Sequence, residues 1–418
     1  MAKITFRNGI RNLIVMRASK IYFVIMMIFV AGCSFDKEQK GIPRIDIRKE
    51  YPEKEIILTD IADITYVHLD SKNDGYLYNG AIKYVTDNTI VVVDISSGSI
   101  LFFSRDGKPK SRFNRLGQGP EEYWDRNFFV TFDEAADDVF VNAPGRMSLT
   151  GGHSILVYSS TGEYKRKLTL PTNSFPLVDF DDQSLFLYDM RNQYKKIFRK
   201  ETDFSPTSYD SSYCRISKTD GKVLEYVQFP SNKIDLTDKG DGERSTEYYR
   251  RVVNCASGLF LCGLETDTIF LYGKDKILTP VICKTPLASD LDPKIILADF
   301  VDTGRYQFMI TQILLSLSEE SKVRREGRKL YEYYTCDKQT GEIFCPKISL
   351  PDYIGEEFFI SANRTYFTGK EMLAHFELSL LELKQAYHEN KLSGKLKELV
   401  ATLNEDRDNN VYVFATFK

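Results

Sequence analysis

The chain has 418 residues, 42% of them hydrophobic, enough to bury a large core and too apolar for disorder as the dominant state. Its 56 basic and 59 acidic side chains give a formal net charge of -3, but the first 32 residues hold five bases and no acid, so the remainder carries 51 against 59, a net of -8. A mildly acidic body lacks the basic stripe that phosphate neutralisation needs, which excludes nucleic acid as an expected partner.

The five early bases are Lys3, Arg7, Arg11, Arg17 and Lys20, and the uncharged run 21–31 (IYFVIMMIFVA) follows them. Positive region, apolar region and small residues, in that order, predict a signal peptide over 1–32; the run is about half of what spans a bilayer. Val30-Ala31-Gly32-Cys33 resembles the bacterial lipobox, which implies a diacylglyceryl anchor on Cys33. Several acyl chains hold a protein where one would be marginal. Ser34 stands where Asp retains some lipoproteins at the inner membrane, so the resemblance implies the outer membrane, with the body facing either periplasm or exterior. Residues 33–54 are expected to be the lipidated cysteine and its polar tether, and Met16 is a second candidate start.

From residue 55 to 418 short apolar runs alternate with turn residues, and 25 Tyr and 28 Phe suit pleated, half-buried strands. One hairpin recurs: 101–113 around Asp106-Gly107, 157–170 around Thr161-Gly162, 215–229 around Asp220-Gly221, 269–282 around Gly273, and 333–350 around Thr340-Gly341. Spacings of 55, 59, 52 and 68 residues between those glycines are somewhat longer than a propeller blade's usual period of about 40 to 50. A sixth unit comes from the ends: 64–69 (ITYVHL) and 411–417 (VYVFATF) both alternate as strands, and pairing them closes a ring with no open edge. Two stacked β-sandwiches are the alternative. Across 376–403 the period changes: Phe376, Leu380, Leu383 and Tyr387, then Leu396, Leu399, Val400 and Leu403, predict two amphipathic helices broken at Ser393-Gly394.

The signal and lipobox, the opening strand 56–69 (IILTDIADITYVHL), the element Leu116-Gly117-Gln118-Gly119-Pro120-Glu121-Glu122-Tyr123, the stretch Thr266-Asp267-Thr268-Ile269-Phe270 and Asp408-Asn409-Asn410 together resemble the six-bladed β-propeller lipoproteins of gut-dwelling Gram-negative anaerobes, relatives in architecture of NHL-type and TolB-like propellers. The resemblance implies an all-β fold, a six-bladed propeller closed by N- and C-terminal strands with a small helical insertion. The chain departs from it at Asn409-Asn410, where the family often has Asn-Pro, and over 191–212, which puts the third blade's boundaries in question.

Catalytic fingerprints are missing from the sequence. Gly117, Gly119 and Pro120 lack the Lys-Ser/Thr of a phosphate loop and read as a rigid blade connection, with Trp124 packed beside it as an anchor. His68, His153, His375 and His388 have no zinc spacing, and Asp133-Glu134, Asp137-Asp138 and 406–410 read as solvated turns, not calcium loops. There is no Gly-x-Ser-x-Gly elbow. Of six cysteines beyond Cys33 (Cys214, Cys255, Cys262, Cys283, Cys336, Cys345), Cys336 and Cys345 would face each other across a two-residue turn, and a three-residue loop would separate them; buried free thiols are the competing expectation. The expectation is therefore a membrane-anchored binding or scaffold module without cofactor or metal. Its ligand, a protein or saccharide, would dock on the propeller face. The alternative is a carbohydrate-active hydrolase or lyase with carboxylates at the channel.

Overall fold

A computed structural model describes residues 41–418 except 73–74, 127, 143–153, 171–173, 190–212, 231–251, 264–265, 316 and 328. Cys33, His153 and the segment 191–212 lie outside the described residues. The compact unit Pro43–Lys418 is a six-bladed β-propeller.

Each blade is an antiparallel sheet whose first strand lies innermost. Blade 1 is Gly80–Val85, Thr89–Asp94, Ser99–Ser104 and Pro109–Phe113; blade 2 is Phe129–Asp133, Asp138–Asn142, Ser154–Tyr158 and Tyr164–Thr169. Blade 3 is Ser174–Asp181, Ser184–Asp189, Tyr213–Ser217 and Val223–Val227; blade 4 is Val252–Cys255, Gly258–Leu261, Thr268–Gly273 and Leu278–Thr285. Blade 5 is Ile295–Asp302, Tyr306–Ile313, Tyr331–Asp337 and Ile343–Leu350. Blade 6 takes Thr365–Phe367, Met372–Leu378 and Val411–Phe417 from the end of the chain and Ala62–His68 from its beginning. Val411 pairs with His68 and Phe417 with Ala62, so the expected seam between the two ends is present.

Strand composition follows position. Thr89–Asp94 (TIVVVD) is buried at every residue because neighbouring blades cover both its faces, and such strands read as continuous apolar runs. Pro109–Phe113 and Tyr164–Thr169 alternate exposed with half-buried or buried residues, since only one face is covered; their lysines and arginines discourage edge pairing. The apolar core is accordingly divided into wedges between blades. Val67, Ile82, Val92, Tyr412 and Phe414 fill the wedge of blades 6 and 1, and Phe140, Ile155, Leu185 and Cys214 that of blades 2 and 3.

The five recurring hairpins are the outer hairpins of blades 1 to 5. In blade 4 the left-handed turn residue is Lys276 (φ 64°), so Gly273 ends a strand instead of making the turn. Over 376–403 the structure has helices α3 and α4 of the four described here: α1 (Leu58–Ile61), α2 (Leu317–Arg325), α3 (Leu380–His388) and α4 (Gly394–Thr402). Phe376, expected on a helical face, belongs to the strand Met372–Leu378, whose nearly continuous burial mimics helical spacing. Leu380, Leu383, Leu396 and Val400 bury against the core of blades 4 to 6.

The residues expected as tether are partly built into the ring. Arg44–Asp46 adds a parallel strand to the edge of blade 4, and Glu53–Ile57 another to Ile343–Leu350 of blade 5. The two attachments repeat one another: Cys283 N donates to Pro43 O (3.1 Å) and Cys345 N to Pro52 O (2.9 Å). Ile45, Ile56 and Leu58 are buried, and the strap leads through α1 into blade 6. Among the described residues no helix is long and apolar enough to cross a membrane.

Candidate functional site at the channel mouth

Where the first strands end and turn into the second, residues of five blades enclose a cavity of about 490 Å³, within the size range of small-molecule sites. Tyr84, Thr86, Asp87 and Asn88 come from blade 1, Phe132 and Glu134 from blade 2, and Asp179, Phe180, Asp181 and Asp182 from blade 3. Blade 4 adds Asn254, Cys255 and Lys274, and blade 6 Phe367 and Thr368.

Most of the carboxylates are held by groups of the surrounding wall. Burial pushes Glu134 up, but the Thr89 and Thr86 hydroxyls and the Asn88 amide, all donating to it, together with nearby Lys110, hold it below the usual carboxylate range. Asp181 is likewise held low against burial by Ser184 Oγ (2.6 Å), the Gln183 amide (3.0 Å) and Arg215 (3.6 Å). Asp87 is lowered by Lys370, whose Nζ lies 2.6 Å away. Asp179 goes the other way. Burial, reinforced by the like charges of Asp133 and Asp181, outweighs Lys218 and pushes it up to about 6. Lys218, itself buried, bridges Asp133 (2.5 Å) and Asp179 (2.8 Å), tying blade 2 to blade 3. Burial also raises the Cys255 thiol.

Asp133 and Glu134, read as a solvated turn, are thus structural partners of Lys218 and of the Thr86–Thr89 turn. Asp138 pairs with Lys165 (2.9 Å) and Arg166 (2.5 Å). The sequence signal that could have found the wall is positional: an acid or Asn stands at or one residue before the end of several first strands, at Asp133, Asp181, Asn254 and Asp302.

The residues singled out in the sequence lie elsewhere. The Gly117 to Tyr123 element is a self-closed link between blades 1 and 2, as expected. Gly119 N donates to Glu122 Oε2 (2.8 Å), and fully buried Tyr123 donates from Oη to Gly98 O (2.8 Å). Tyr123 is the anchor there, while Trp124 is 43% exposed, because the turn points one ring inward and its neighbour out. His375 is buried beside Tyr366 and Tyr412, and His68 lies 3.7 Å from Asp408. Among the described residues no group of His, Cys, Asp and Glu is arranged to hold a metal.

The possible Cys336–Cys345 bridge is not formed. The turn spans 338–341, Cys336 sits opposite Ile343, and Cys345 pairs with Glu53 of the strap, so the sulfurs do not face each other. None of the six described cysteines is in a disulfide.

Residues 36–233 match the model of a family described as 6-bladed beta-propeller, the architecture that the sequence resemblance implied. No curated protein matches the chain. Among solved structures, a Bacteroides fragilis protein described as exported superposes with a TM-score of 0.59 at 14% identity, covering 90% of this chain and 99% of that one. A Bacteroides vulgatus protein gives 0.43 at 11% identity (86% and 97% covered), and the virginiamycin B lyase of Staphylococcus aureus 0.34 at 13% (75% and 81%). At such identities the likeness concerns the fold alone.

Proposed function

For a six-bladed β-propeller with this mouth, we propose the role of a binding or scaffold lipoprotein of the cell envelope, anchored through Cys33 and holding its ligand at the channel. The observation that carries the reading is the cavity of about 490 Å³, with carboxylates, amides and aromatic rings preset by hydrogen bonds and ion pairs behind them. Fixed polar groups among aromatic ones suit recognition, since little ordering is left for binding to impose. The lipobox supports the anchor and the outer-membrane address.

Two experiments test it. Mass spectrometry of the mature chain from membranes should find an acylated Cys33, and Cys33→Ser should release the protein; an unmodified terminus refutes the anchor. A glycan and peptide array, paired with pull-down from intact membranes, should yield ligands whose binding falls in Phe180→Ala. Ligands indifferent to that change would place binding elsewhere.

A second reading, a carbohydrate-active hydrolase or lyase, is favoured by one observation. Asp179 is raised while Glu134 and Asp181 are lowered, and acid-base catalysis uses carboxyl groups separated in this way. Turnover of chromogenic glycosides, lost in Asp179→Asn, would support it.

A further inference from the structure

Of the six charged side chains that line the cavity, four have partners among the described residues and two have none there. Asp87, Glu134, Asp179 and Asp181 are engaged by Lys370, the Thr86–Thr89 turn, Lys218 and Arg215. Asp182, from the turn after blade 3's first strand, and Lys274, from the outer turn of blade 4, are exposed and form no ion pair or side-chain hydrogen bond among the described residues. A third unspent group lies in the wall. Asn254 donates Nδ2 to Asp179 O (2.8 Å) and leaves a buried Oδ1 with no donor among the described residues. A buried carbonyl without a donor is costly unless a ligand supplies one.

Resting on the reading of the mouth as a binding site, we propose that its ligand is a zwitterion of the amino-acid or short-peptide class. Its carboxylate meets Lys274, its ammonium meets Asp182, and an N–H satisfies Asn254 Oδ1. Opposite free charges on one cavity select a molecule carrying both signs, because a singly charged ligand would leave one of them unanswered. Phe180, beside Asp182 in the same wall, offers a ring for an apolar side chain.

The test is calorimetry on the full-length protein in detergent, with alanyl-phenylalanine, its N-acetyl form, its C-amide, and a neutral disaccharide of similar size. The free dipeptide should bind, and blocking either end should weaken it about tenfold, the scale of one lost charge contact. Lys274→Met should weaken the free dipeptide by the same factor while leaving the C-amide unchanged, and Asp182→Asn should do so while leaving the N-acetyl form unchanged. Both side chains are exposed, so folding should survive, and circular dichroism checks that it does. Blocked and free dipeptides binding alike, or variants that do not discriminate between them, overturn the proposal. Disaccharide binding that Phe180→Ala abolishes overturns the ligand class but leaves the binding reading standing. No binding of any probe by folded protein also overturns the class; the binding reading then stands or falls on the array and pull-down.

Discussion

A Cβ built on Gly162 would lie 2.4 Å from the Cβ of Phe113, so the outer turn of blade 2 closes directly onto the last residue of blade 1's outer strand. The arrangement recurs around the ring: Gly107 faces His68 O and Gly221 faces Thr169 O, each across the junction with the preceding blade. The turn glycines therefore answer two demands at once, a positive φ and close approach. Gly162→Ala should cost about 2–4 kcal/mol, from backbone strain plus forced separation of the blades. Gly341, at φ 73° with open space around it, faces only the first demand, and Gly341→Ala should cost about 1 kcal/mol. Urea midpoints of the two variants check the ranking.

These turns also explain how much of the fold was legible. A glycine between two apolar runs is a local signal, so five outer hairpins and the alternating seam strands could be read directly. The strap could not. Arg44–Asp46 and Glu53–Ile57 are short and pair in parallel with strands far along the chain, which leaves no turn chemistry to read. The channel mouth was equally hidden, because Glu134, Asp179 and Asn254 become neighbours only when blades 2, 3 and 4 assemble. Phe376 was misplaced because burial on both faces of its strand erases the period of two.

Lys284 Nζ lies 2.8 Å from Asp267 Oδ1 with both side chains at most 1% exposed. The lysine also donates to Pro286 O (2.6 Å), and Asp267 Oδ2 accepts from Ala288 N (2.9 Å). Asp267 was conspicuous in the sequence, but nothing local announced its partner. Lys284→Met leaves a buried carboxylate uncompensated and should cost about 3–5 kcal/mol. The double variant Lys284→Met/Asp267→Asn should lose less than the sum of the two single changes, a coupling that a double-mutant cycle in urea measures.

Asn409 locks the seam next to the terminal strand. Its Nδ2 donates to Leu69 O (2.8 Å) and Tyr76 O (2.9 Å), and its Oδ1 accepts from Tyr78 N (3.2 Å). Asn410 does a separate task, accepting from the first amide of α3, Leu380 N (3.0 Å). Because Asn409 is 3% exposed, water cannot replace those bonds, and Asn409→Ala should cost about 2–4 kcal/mol. If ring closure matters as the topology implies, amide exchange in Ala62–His68 should accelerate in this variant far more than in blade 3, and equal acceleration in both would contradict it.

Asp179 should make stability depend on pH in an unusual direction. Its carboxyl is pushed up to about 6 in the fold by burial and by Asp133 and Asp181, against an ordinary value of 3.8. A raised folded value means that the native state holds the proton longer than the unfolded chain does. Its contribution is complete below the unfolded value and is lost as pH rises through about 6. Asp179→Asn keeps the group neutral throughout and removes that slope, while Asp133, 2.5 Å from Lys218, keeps the ammonium paired. Relative to wild type, the variant should therefore gain on the order of 2 kcal/mol between pH 4 and pH 7, read from urea unfolding across that window. A difference between the two proteins that stays flat with pH would mean that Asp179 ionises like an ordinary surface carboxylate, which would also remove the observation favouring acid-base chemistry at the mouth.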